Sequence, residues 1–336
     1  MKKIILFIIL TFIVNIIFAQ SQSEPKINFK IATDAPDGSS WIMTFKEIDK
    51  QLRKQTNNEI GLTIYPASIM GDQSTVIKKI KIGQLSGAGL SSGGMQLIYK
   101  DFAIMGFPLI FRNYKEYDYT KEKLGSFFDQ ELEKKDFVIL SWTEVGFIYV
   151  CSKKKVNSAE TLSQSKPIIL EGDIVSKALY DELNIKPIPL QLSDILTSLQ
   201  TGQIDTIFSS TYGLIVTQWF TKVNYIADFP ITFMIGSCVV DKKMFYSLTK
   251  EQQTLMRNLF KENFGKLAQK VRQDNDKARI SLEKQGIKFI PVDDKQKQRF
   301  VEVCTNAYKV LTEKEYSKEM LDKVLKVVDE YRNSNK

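Results

Sequence analysis

The chain has 336 residues, 43% of them hydrophobic and 26% charged, with a formal net charge of +8, three cysteines and no histidine. That is an ordinary globular balance at a length beyond one typical core, so two domains are expected. The lack of histidine excludes Ser-His-Asp and Cys-His catalysis and His-ligated zinc, while lysines interleaved with acids, as in Lys261-Glu262 and Glu313-Lys314-Glu315, read as a solvated surface and not a nucleic-acid stripe.

Lys2-Lys3 opens the chain and an apolar run follows to Ala19. This is the pattern of a secretory signal peptide, taken here as residues 1–20, so the protein is expected in the periplasm. Left uncleaved, the segment is nearly long enough to act as an anchor, since roughly 17–20 residues span a bilayer. No cysteine follows it closely enough for a lipid anchor.

A strand is expected at 29–32, with an exit at 33–40 rich in turn and N-cap residues. A helix follows at 41–55, where Trp41, Phe45, Ile48 and Leu52 recur at helical spacing. Strand 60–65, helix 72–82 and strand 85–90 complete a βαβαβ start, which implies a parallel sheet with right-handed crossovers. The run 102–111 is densely apolar but broken by Gly106 and Pro108. Helix 114–135 and two strands, 137–141 and 147–151, come next. A second β-α-β-α-β series then reads as strand 167–170, helix 174–183, strand 186–189, helix 193–201 and strand 204–209. Strand 232–240 returns the chain between the two units. Residues 249–286 form one helical pattern, opened by a Thr249/Gln252 capping box and stopped by Gly286. At 1.5 Å per residue it would run roughly 50–55 Å, longer than one lobe. A short strand at 287–292 and two amphipathic helices close the chain.

Two stretches echo each other. Gly83-Gln84-Leu85 and Gly202-Gln203-Ile204 each follow an apolar-periodic helix and lead into a short β-rich run, one ending Ser91-Ser92 and the other Ser209-Ser210. Open α/β sheets bind ligands at the carboxyl ends of their strands, so the pair points to two α/β lobes facing one cleft. The serines either line that cleft or cap the helices that follow. Gly89-Leu90-Ser91-Ser92-Gly93 matches a nucleophile elbow, but that motif needs a histidine. Cys151, Cys238 and Cys304 have no metal spacing. No catalytic residue, metal or cofactor is expected.

Five segments together resemble the solute-binding proteins of TRAP transporters, the DctP-type family. They are Ile31-Ala-Thr-Asp-Ala-Pro-Asp-Gly-Ser-Ser-Trp41, Ile64-Tyr-Pro66 with Gly71-Asp72, Phe107-Pro-Leu-Ile-Phe-Arg-Asn-Tyr114, Leu199-Gln-Thr-Gly-Gln-Ile-Asp205 and Val239-Val-Asp-Lys-Lys-Met-Phe-Tyr-Ser-Leu-Thr249. The resemblance covers essentially the whole mature chain. It implies an α/β, two-lobe periplasmic-binding-protein fold, each lobe a mixed sheet flanked by helices, with a long helix spanning both. The lobes are expected as 26–147 plus 233–265, and 148–232 plus 266–336. The implied function is capture of a small organic ligand by hinge closure, without catalysis, and delivery to a TRAP-type membrane permease.

Two departures stand out. The family usually places a carboxylate-binding arginine at the end of the first strand of the second lobe, where this chain reads Lys166-Pro167-Ile168-Ile169-Leu170. The position falls on Ile169, or on Ile168 if the loop differs by one. A second family arginine follows a Trp and a Gly, and here Trp142-Thr-Glu-Val-Gly146-Phe147-Ile148 puts Ile148 there. The asparagine common after the second repeat is matched by Ser209. A ligand carboxylate against isoleucine would lack the fork that suits it, so a typical dicarboxylate or sialic acid is not expected. The cleft is instead expected to present Phe107, Phe147, Ile148, Ile169, Tyr212 and Phe233, with Ser91, Ser92, Gly93, Ser209 and Ser210 as polar contacts. Trp41 and Trp142 are placed either in the cleft or as core anchors. A rival reading is an exported scaffold or sensor subunit that pairs this fold with an accessory protein.

Overall fold

The computed structural model describes residues 24–170 and 173–335. The expected signal peptide lies outside the described residues.

Parallel pairing organises the first lobe. Strand β1 (Ile27–Thr33) lies between β2 (Ile60–Tyr65) and β3 (Gly87–Ser91), parallel to both. The crossovers are α1 (Ser40–Gln55) and α2 (Gln73–Lys81). Helix α1 buries Ile42, Phe45, Ile48 and Leu52 along one stripe, and the Ser39 hydroxyl caps its first turn. After β3 come the short helix α3 (Ser92–Met95), 3-10 turns over Lys100–Gly106 and α4 (Tyr114–Glu133).

Strand β4 (Phe137–Ser152) then runs for 16 residues. The sequence pattern places two strands there, 137–141 and 147–151. The strand continues because Glu144 and Gly146 are both accommodated. Gly146 takes φ +105° at a register shift against the partner strand. A Cβ at this position would lie 2.7 Å from Asn275 Nδ2, so only glycine fits. Glu144, 1% exposed, is not solvated but paired.

The second lobe uses shorter pieces: α5 (Ala159–Ser163), β5 (Ile168–Leu170), α6 (Ile174–Glu182), β6 (Ile188–Leu190), α7 (Ile195–Thr201), β7 (Thr206–Ser209), α8 (Thr211–Val216) and β8 (Tyr225–Ala227). The expected β-α-β-α-β order is present, but its strands do not form one sheet. β5 and β6 pair in parallel as a separate ribbon, joined to β7 by a bridge between Pro167 and Thr206. β8 was not anticipated, since three residues carry too little pattern.

Strand β9 (Thr232–Asp241) is antiparallel to both β3 and β4. β4 pairs with β9 as far as Ile148 opposite Thr232, then with β7 and β8 from Tyr149 onward. One strand therefore belongs to both lobes. It also fixes direction. β1 and β3 run parallel to β4, toward the second lobe, and β7 runs back toward the first. The carboxyl ends of β3 and β7 are aimed at each other.

After α9 (Lys242–Tyr246), helix α10 (Lys250–Lys284) has 35 residues, about 52 Å at the standard rise. Thr249 and Gln252 form the expected capping box, with both reciprocal bonds made. Phe260 and Phe264 pack on Phe45 of α1, whereas Leu282 lies in the second-lobe cluster with Ile226 and Ile287. The helix spans both lobes. Beyond β10 (Lys288–Ile290), α11 (Asp294–Lys314) packs on α6, while α12 (Lys318–Ser334) returns to α4. There Arg332 grips both Glu116 oxygens and the Ile110 carbonyl. The three cysteines are buried free thiols, and burial pushes Cys304 up to about 12.

Arg272 of α10 ties this junction. Its guanidinium donates to both oxygens of Glu144 in β4, at 2.6 and 2.9 Å, and to both oxygens of Asp118 in α4, at 2.8 and 2.7 Å. It also lies 4.4 Å from the Tyr114 ring centre. Burial pushes the Glu144 carboxyl above its ordinary range, and the Arg272 bond opposes that push. Arg272→Met should lower stability by about 3–5 kcal/mol, because it strands a buried charge. An acid whose folded pKa is raised takes up a proton that the unfolded chain lacks, so the variant should regain stability as pH falls toward the ordinary carboxylate range. Urea denaturation at neutral and mildly acidic pH checks both; an unchanged midpoint would contradict the assignment. Gly146→Ala should cost about 1–3 kcal/mol through backbone strain and the clash with Asn275, and a neutral result in the same assay would contradict the account of the bulge.

Candidate functional site

The two glycine-stopped repeats have the same geometry. Gly83 and Gly202 are both left-handed, at φ +75° and +76°, and each donates its N–H to a carbonyl of the helix it ends, Ile80 and Leu199. Eight residues on, Ser91 and Ser210 each cap a short helix, accepting the N–H of Gly94 and of Gly213. The structural equivalent of Ser91 is thus Ser210, one place later than the sequence pattern implies. Ser209 is the last residue of β7.

Hydroxyl accounting separates these serines. The Ser91 O–H donates to Gln73 Oε1 at 3.1 Å, and the Ser91 N–H goes to the same atom at 3.2 Å. Gln73 in turn donates to Asp34 Oδ2 at 2.5 Å, and Ser68 donates to Asp34 Oδ1. Ser209 donates to the Ser210 carbonyl, and Thr211 to the Asn275 carbonyl at 2.7 Å. Those protons are committed. Among the described residues no acceptor takes the Ser92 or Ser210 proton. Ser92 Oγ lies next to Gly106, where a Cβ would come within 3.2 Å of it. Gly93 beside it is exposed.

Asn275 of α10 holds the second edge in place. Its side-chain amide donates to the Val145 and Val271 carbonyls, and its oxygen accepts the Tyr212 N–H at 3.0 Å. One buried side chain therefore connects the long helix, the bulge of β4 and the first turn of α8. Sequence reasoning missed Asn275, Asp34 and Gln73. Each acts through partners far along the chain, and no local spacing marks them.

The expected aromatic residues are mostly packed against one another. Phe233 is 2% exposed, with ring centres of Tyr117 at 4.6 Å, Phe147 at 4.9 Å and Tyr114 at 5.6 Å. Phe107 lies between Tyr308 and Tyr316. Trp142 stacks on Phe102, and Trp41 meets Phe264 edge-on, so both have the packing expected of core anchors. Phe147 and Ile148 alternate across β4, opposite Phe233 and Thr232. Ile148 is 3% exposed. Ile169, half-buried in β5, packs with the cluster that contains Val150, Tyr180 and Phe208.

Three arginines near this junction are engaged by carboxylates, while Arg112, in the turn before α4, is exposed. Arg272 is held by Glu144 and Asp118, Arg332 by Glu116, and Arg279 by both Asp228 oxygens at 2.7 and 2.8 Å. The Arg279 bond keeps the Asp228 carboxyl below its ordinary range. A groove of about 460 Å³ lies between α1 and α10, lined by Gly38, Ser40, Thr44, Lys266 and Lys270 and, from the second lobe, Tyr212. Among the described residues no group of carboxylates and thiols is arranged to hold a metal ion, and no helix is long and apolar enough to cross a membrane.

Residues 31–315 match the family described as DctP, bacterial extracellular solute-binding protein, family 7. A protein of Haemophilus influenzae, itself uncharacterised, is 25% identical over 322 residues, 92% of this chain and 93% of its own length. The sugar acid binding protein DctPAm from Advenella mimigardefordensis, solved in complex with galactonate, has a TM-score of 0.84 at 16% identity, covering 91% of this chain and 99% of that one. A TRAP periplasmic solute binding protein from Xanthobacter autotrophicus with bound β-D-galacturonate has a TM-score of 0.82 at 18% identity, covering 89% and 98%. At those identities the structural likeness establishes the fold, and the family consists of solute-binding proteins, not enzymes. The chain belongs to the DctP family of bacterial extracellular solute-binding proteins, family 7.

Proposed function

We propose that this chain is the extracytoplasmic binding component of a TRAP-type transporter. It captures a small organic solute between the carboxyl ends of β3 and β7 and passes it to a membrane permease. The observation that carries this reading is the single strand β4, common to both lobes and bent at Gly146, with the two serine-tipped edges aimed at each other across it. Closure would rotate 148–232 and 266–336 against 26–147 and 233–265, with α12 packed back on the first lobe. Differential affinity for the closed form would drive it.

The ligand of this reading is not held as a dicarboxylate. Isoleucines stand at 148 and 169, and Arg272, Arg279 and Arg332 are already paired. A carboxylate buried there without a partner would cost several kcal/mol, about the scale of an unsatisfied buried charge. Phe147 and Ile169 supply apolar wall, and the hydroxyls of Ser92 and Ser210, with no acceptor among the described residues, supply one donor from each lobe. Such a cleft suits a weakly polar solute with acceptor groups, in contrast to the sugar acids held by the two solved relatives.

Native mass spectrometry of protein purified without denaturation should reveal a co-purified solute lacking a carboxylate pair. Titration calorimetry with galactonate should give no heat on the wild type. Ile169→Arg should gain galactonate affinity by at least about tenfold, the scale of one charge-assisted bidentate contact. Tight galactonate binding by the unaltered protein would contradict the ligand assignment.

A further inference from the structure

We propose that Ser40 and Tyr212 form a latch that helps hold the two lobes together, so that part of the closing free energy is built into the protein and not supplied by solute. Ser40 is the first residue of α1, the helix that leaves β1 in the first lobe. Tyr212 lies in α8, the helix that leaves β7 in the second. Their hydroxyl oxygens are 3.2 Å apart. Ser40 Oγ donates its proton to Asp274 Oδ2 of α10 at 3.4 Å. Tyr212 must then be the donor toward Ser40, which makes a short relay from phenol to serine to carboxylate. Lys270, one turn away, balances the Asp274 charge at 3.4 Å.

Three features suit this arrangement to a latch. Ser40 is only 8% exposed and its hydroxyl is already turned toward Asp274, which leaves its oxygen placed to accept from Tyr212. The Tyr212 backbone is fixed by Asn275, the neighbour of Asp274, so the phenol is aimed before the lobes meet. The groove of about 460 Å³ beside the pair leaves the ring room to swing away when they part. Rotation about the Gly146 bulge separates the exits of β1 and β7, and the relay cannot survive that separation. Tyr212 is thereby assigned to closure and not to ligand contact.

The inference rests on the hinged two-lobe reading, but its test needs no ligand, so its failure leaves solute capture to the binding experiments. Small-angle X-ray scattering of ligand-free wild type, Tyr212→Phe, Ser40→Ala and the double variant reads the open fraction, with thermal melts confirming that each is folded. Each single variant should raise the open-to-closed ratio about three- to tenfold, the scale of one hydrogen bond, and so enlarge the radius of gyration. The double variant should go no further than the more open single one, since both break the same relay. Identical scattering from all four proteins, or a double variant that adds the two single effects, overturns the latch.

Discussion

Arg272 is the contact on which the two-lobed arrangement depends. It reaches from the long helix to a carboxylate in the middle of β4 and another on α4. A glutamate that is 1% exposed would ordinarily be excluded from a strand core. Given a bidentate partner it can remain, and β4 can pass it without breaking. Gly146, two residues on, then lets the strand shift register, and Asn275 fixes the bulge and the first turn of α8 at once. Arg272 and Asn275 are three residues apart on α10 and meet Glu144, Val145 and Gly146 of β4, so this stretch of the helix is where the lobes are joined.

The edges that face each other across this joint have related construction but different remaining capacity. Both repeats end a helix with a left-handed glycine and begin the next with a serine cap. In the first lobe Gln73 takes the capping serine's proton, while in the second no acceptor among the described residues takes the equivalent one. In the proposed reading the available donors therefore shift by one residue between lobes, to Ser92 on one side and Ser210 on the other. Isoleucine at 148 and 169 supplies no charged fork, which in the proposed cleft gives those two donors a larger share of any polar recognition.

Much of this was legible in the sequence, for physical reasons that differ by element. Strand 60–65 and the helix from Thr249 to Gly286 carry strong periodicity, and the helix has a capping box and a glycine stop, so their ends follow from local chemistry. The repeat was visible because its glycine and its serine are both demanded by backbone geometry. β4 was misread as two strands because a buried glutamate can be recognised only with its partner, Arg272, 128 residues away. Three-residue β8 and the short helices α5, α8 and α9 were too brief to show a period. Asp34, Gln73 and Asn275 carry no local signal, and the aromatic residues expected at the cleft are largely engaged with one another.

The central claim is that the lobes move about β4 around a bound solute. Electron spin–spin distances between labels on Asp37→Cys, near the β1 exit, and Thr221→Cys, beyond α8, report that motion directly, because both positions are exposed and the native thiols are buried. The distribution should be short and narrow in protein that retains its co-purified solute, and should shift to longer distances once the solute is removed by unfolding and refolding. A single distribution, unchanged by removal of the solute, would contradict the account.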